Sequence, residues 1–88
     1  MFNQIKEFPH DFFVPLEGNP NHLGRLTLLC IGEGDYSLYN VEIDIVEKEA
    51  KKIFQHIGIL YNFNDIHEAM DQSMQKLADF ISQQKKFL

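Results

Sequence analysis

Apolar and polar positions alternate along two stretches of this chain, residues 25–32 and 36–45, on either side of Gly34-Asp35. Both stretches are rich in β-branched and aromatic residues, and a period of two over such residues predicts β-strands. A Gly-Asp loop between them suits a type II′ hairpin turn, in which glycine supplies the positive φ. Pairing outward from Glu33 opposite Tyr36 sets Ile31 against Leu38, Leu28 against Val41, Leu26 against Ile43 and Arg25 against Asp44. Side chains on a strand point alternately to the two faces. One face then carries Leu26, Leu28, Cys30, Tyr39, Val41 and Ile43, and reads as a core face. The other carries Arg25, Thr27, Leu29, Ile31, Leu38, Asn40, Glu42 and Asp44, and is mixed. A slip by one residue would scramble this sorting, so the pattern selects the register. A longer loop of the same parity would preserve it.

After the hairpin the pattern changes. Val46, Ala50, Ile53, Phe54 and Ile57 fall on one stripe at helical spacing, which predicts a helix over 46–57. Asp44 and Glu47 have the spacing of a capping box, Glu47 and Lys51 form an i,i+4 pair, His56 suits the negative end of the helix dipole, and Gly58 is placed to end the helix. A second helix is predicted over 65–84, opening at Asp65 with Glu68 three residues on. Its apolar positions, among them Ile66, Met70, Met74, Leu77 and Ile81, cover nearly half the helix circumference, wide enough for two neighbours. Those neighbours are residues 1–16 or a second copy of the chain. Residues 59–64, Ile-Leu-Tyr-Asn-Phe-Asn, are too apolar for a free linker and read as a short strand or a packed loop.

Residues 1–23 are punctuated by Pro9, Pro15 and Pro20. An edge strand fits about 11–16, because Pro15 cannot donate to an inner ladder. The expected fold is therefore α+β in a single domain, 1–88. It consists of an antiparallel hairpin or three-stranded meander (about 11–16, 25–32, 36–45), followed by two helices (about 46–57, 65–84) packed on one sheet face.

Composition narrows the function classes. With 44% hydrophobic and 24% charged residues in 88, the chain is ordinary globular material rather than a disordered segment. One cysteine excludes an internal disulfide. The net charge is −5 and the pI about 5.2, which disfavours direct nucleic-acid binding. The acids are concentrated: residues 1–50 hold nine acidic against three basic residues. No apolar run approaches the ~20 residues of a membrane span and the start has no signal-peptide pattern, so a cytoplasmic, non-membrane protein is expected.

The candidate chemistry is sparse. Cys30 falls on the core face, where a small buried hydrophobe explains it. The histidines His10, His22, His56 and His67 show no metal-finger spacing with it. His67 and Asp71 share a helix face but lack a third ligand nearby in sequence. Gly32-Glu33-Gly34-Asp35 lacks the spacing of a phosphate loop, and its carboxylates would repel phosphate. The pairs Glu33/Asp35 and Glu42/Asp44 lack the cleft that acid–base catalysis requires. The sequence therefore predicts no catalytic residue, metal or cofactor.

The function expected is a small acidic protein-binding module of inhibitor, immunity or antitoxin type, acting by occluding a basic partner. The alternative is a small-molecule-binding or enzymatic subunit whose site forms in an oligomer, and the second helix is the surface through which a homodimer would form. The partner surface assigned is the hairpin tip with the mixed face: Glu33, Asp35, Tyr36, Leu38, Glu42 and Asp44.

Overall fold

The computed structural model describes residues 7–32 and 37–85. Four strands, β1 (His10–Pro15), β2 (His22–Ile31), β3 (Leu38–Glu47) and β4 (Ile53–Phe63), precede one helix, α1 (Ile66–Lys85). The strands form a single antiparallel meander in the order β1-β2-β3-β4. The fold is α+β, with the helix on one face of the sheet.

The β2–β3 register is the one the alternation selects, with Arg25 opposite Asp44, Leu26 opposite Ile43, Leu28 opposite Val41 and Ile31 opposite Leu38. The turn between these strands, Glu33 to Tyr36, lies outside the described residues. β1 pairs with β2 as the expected edge strand, with Phe12 opposite Leu26 and Val14 opposite Gly24. Gly18, at φ +74°, supplies the left-handed residue of the turn between them, where Asn19 N donates to Leu16 O at 3.1 Å.

The helix expected over 46–57 does not form. Residues up to Glu47 belong to β3, and Ile53 begins β4. The helix-favouring run Glu47-Lys48-Glu49-Ala50-Lys51-Lys52 closes only one turn, in which Lys51 N donates to Glu47 O at 2.9 Å. Lys51 then enters the left-handed region at φ 59° and reverses the chain, and Glu47 N takes Lys52 O at 2.8 Å. The competing demand comes from β3. Its residues from Asn40 to Val46 are buried except for Glu42, so the backbone groups on its outer edge need a partner. The β-branched and aromatic run Ile53–Phe63 provides it. Gly58 accordingly sits in a strand rather than ending a helix, and residues 59–63 continue that strand.

α1 begins as expected. Asp65 Oδ2 accepts from Glu68 N at 3.3 Å and Asp65 O from Ala69 N at 3.0 Å. The helix packs mainly over β3 and β4. Ala69, Met70 and Leu77 join Leu26, Leu28, Val41, Ile43 and Ile45 in the core, where each large side chain removed from water contributes about 1.5–3 kcal/mol. Gly24 admits Leu77 closely: a Cβ there would stand 2.5 Å from Leu77 Cδ2. The second part of the helix's wide arc faces its own chain. Met74, Leu77 and Ile81 line a groove of about 300 Å³ with Val14 and Leu16.

Candidate functional site

The face of the sheet turned away from α1 has no described element packed along it. Register and strand parity arrange its side chains in rows. One row runs Phe13, Arg25, Asp44, His56, and the next Asp11, Thr27, Glu42, Ile59. Beyond them come Leu29 beside Asn40, and Ile31 beside Leu38. On the other side Leu23 and Val46 are followed by Ile53. The β3–β4 turn closes down at that end. Lys48 N donates to Asn21 O at 2.9 Å, and the Lys51 ammonium stands 5.5 Å from the centre of the Phe13 ring.

At the centre of the first row Asp44 is completely buried, although it is an acid on a sheet face without a helix. Arg25 Nη2 donates to its Oδ2 at 3.1 Å, and His56 Nδ1 lies 2.7 Å from its Oδ1. The three side chains come from three adjacent strands and tie β2, β3 and β4 together. Exposure differs sharply among them: 0% for the Asp44 side chain, 18% for Arg25 and 50% for His56. Arg25 Nε is buried without a hydrogen-bond partner. Below this row Thr27 Oγ1 donates to Asp11 Oδ1 at 2.6 Å, and Asn40 Oδ1 accepts from Asn62 N at 2.9 Å.

Apart from Arg25 Nε, this arrangement is an internally satisfied ion network. Both Asp44 oxygens are engaged, and the Thr27 hydroxyl is turned to Asp11, so neither is poised as a base or nucleophile. The residues that could hold a cation are Glu42, Asp44 and His56, whose ligand atoms lie within 4.8 Å of one another. A metal there would have to open the Asp44–His56 contact beside the Arg25 guanidinium, which already balances the carboxylate.

The residues assigned from sequence are distributed unevenly over this surface. Glu33, Asp35 and Tyr36 lie outside the described residues. Leu38 and Glu42 are half-buried on the open face. Asp44 lies on that face too, but it is held beneath Arg25 and His56 rather than at a solvated rim. The residue that sequence reasoning missed is His56. The helical stripe places it at a helix end, whereas β4 sets it opposite Asp44. The usable signal was the density of β-branched and aromatic residues in 53–63, which outweighs one coincidental helical stripe.

The other candidates are dispersed. Cys30 is half-buried on the helix side of the sheet. His67 and Asp71 are exposed on α1, and His10 stacks at 4.6 Å against Phe12. Met70 is buried in the core, whereas Met74 is partly exposed over the groove beside β1. Among the described residues no helix is long and apolar enough to cross a membrane. Comparison with protein-family models, curated proteins and solved structures finds no match to this chain.

Proposed function

We propose that this chain is a small acidic protein-binding module whose docking surface is the open face of the sheet. One observation carries the reading: Leu29, Ile31, Leu38 and Ile59 stand on a sheet face that no described element covers, with Asp11 and Glu42 in the row at its margin. An apolar centre with a charged margin is the composition of specific interfaces. The Arg25–Asp44–His56 network holds the strands beneath in one register, so the surface is preorganised and loses little entropy on binding. Asp11 and Glu42, in a chain with a net charge of −5, suit a partner with a basic margin. Occlusion of such a partner is the inhibitor, immunity or antitoxin type of action.

The test is site-specific photocrosslinking in the native host, with the crosslinker at Leu38 on the open face or at Gln72 on the outer side of α1. The partner captured from Leu38 is then purified for binding kinetics. Leu29→Asp should weaken binding by about tenfold or more. Glu42→Lys should slow association, most at low salt, where screening is weakest. Crosslinks from Gln72 alone, or kinetics indifferent to both substitutions, would refute the reading.

The alternative, a small-molecule-binding or enzymatic subunit whose site forms in an oligomer, is tested by native mass spectrometry of the full chain: a small molecule retained only by an oligomer would favour it over a docking surface.

A further inference from the structure

The two edges of the sheet are built differently. β1 is short, 6 residues, and is defended: it contains Asp11 and Pro15 and is flanked by Pro9 and Glu17. Proline and charge at these positions are the usual means of stopping another strand from adding to an edge. β4 has 11 residues, IFQHIGILYNF, with no Asp, Glu, Lys, Arg or Pro. It is also unusually bare, with Ile53 at 55%, Phe54 at 62% and Tyr61 at 61% exposure. Its pairing with β3 shifts register between Tyr39 and Val41, between Ile43 and Asp44 and between Ile45 and Val46, so bulges are the one edge device β4 carries, whereas the proline and charge of β1 are absent from it.

We infer that β4 is a homodimer edge, at which a second copy of this chain pairs antiparallel, β4 to β4, to make one continuous sheet. The charge pattern permits a second copy at this edge. Each copy is strongly acidic overall, yet β4 carries no formal charge apart from what His56 acquires, so two copies meet there without opposing like charges. A two-fold pairing is self-complementary and closes at two, leaving no new edge of the same kind. An axis at Gly58, the middle residue of β4, sets the exposed Ile53–Phe54 end of one copy against the Tyr61 end of the other. Lys76 lies over Gly58 and shares a shallow hollow with Ile57, Asp79 and Phe80. The same axis brings two such hollows together, with Lys76 of each copy beside Asp79 of the other.

Leu77 and Ile81 of the helix face Val14 and Leu16 of their own chain across a groove, but Met74 stays exposed there, so a dimer through α1 is the competing outcome. Pairing one edge and its flanking side chains buries about 1,000–1,200 Å², the low end for a stable complex, so the dimer constant should be on the order of micromolar.

Sedimentation velocity of the full chain from about 1 to 200 μM, a range bracketing that constant, should show monomer passing to dimer. Ile53→Lys with Tyr61→Lys should abolish the passage while the circular dichroism and melting temperature stay near wild type; Phe54 is left in place because its ring packs on His22 of β2, 4.4 Å between centroids. Met74→Lys, on the helix, should leave it unchanged. Should the double variant fail to fold, amide exchange of the wild type decides, because β4 amides must gain protection as concentration rises. A wild type that stays monomeric across the range overturns the inference. So does a dimer lost in Met74→Lys and kept in the lysine pair, or β4 exchange that ignores concentration. None of these measurements involves the partner of the open face, so their failure leaves that reading standing.

Discussion

Replacing Arg25 by methionine removes the guanidinium but keeps most of the side-chain volume. Asp44, fully buried, is then left with His56 as its single partner 2.7 Å away. Breaking a buried pair from one side costs about 3–5 kcal/mol, because the surviving charge stays desolvated. A domain of this size has a total stability of only about 4–13 kcal/mol, so Arg25→Met should lower the urea midpoint severely. His56→Gln perturbs the same carboxylate from its exposed side. The His56 side chain is 50% exposed, and Asp44 keeps Arg25 at 3.1 Å, so the loss is one partly solvated hydrogen bond, about 1 kcal/mol. The double substitution Arg25→Met with Asp44→Leu removes both charges and should cost less than Arg25→Met alone, since a buried pair replaced by apolar side chains is often neutral in stability. Urea unfolding followed by circular dichroism gives all the required free energies, provided the slope is the same in each variant. Equal losses for Arg25→Met and His56→Gln, or a double variant as unstable as the summed single variants, would refute the assignment of Asp44 as a buried charge balanced chiefly by Arg25.

Two further outcomes test the register and the helix start. Val41→Asp puts a carboxylate in the core beneath α1 and should cost about 4 kcal/mol or more, whereas Glu42→Ala on the open face should change stability by less than about 0.5 kcal/mol; similar melting temperatures for the two would mean that the faces are assigned wrongly. Asp65→Ala removes the acceptor for Glu68 N at 3.3 Å and should cost about 1 kcal/mol, with faster amide exchange confined to the first turn of α1; exchange that rises evenly along the helix would contradict the capping role.

What the sequence determined by itself lies in the segments where one periodicity has no rival. The β2–β3 register follows from alternation because a one-residue slip would place either Leu26 and Leu28 or Val41 and Ile43 on the open face, which no local choice can repair. α1 follows from its apolar arc and from Asp65, whose side chain and carbonyl are within reach of the orphaned N–H groups of the first turn. β1 was legible because Pro15 is compatible with an edge strand and not with an inner one.

From Glu47 onward the path of the chain depends on contacts between distant segments. Locally, Glu47 to Lys52 favours a helix, and Val46, Ile53, Phe54 and Ile57 supply a stripe for one. The outcome rests on a non-local term, the unpaired outer edge of a buried β3, and that term enters only once β2 and β3 have come together. With β4 in place His56 reaches Asp44, and an acid that reads as a surface charge becomes the buried centre of a three-strand network. Burial of that kind is a property of the assembled sheet. Hydrophobic patterning cannot anticipate it, because neither Asp44 nor His56 is hydrophobic, and their partners lie 19 and 12 residues away along the chain.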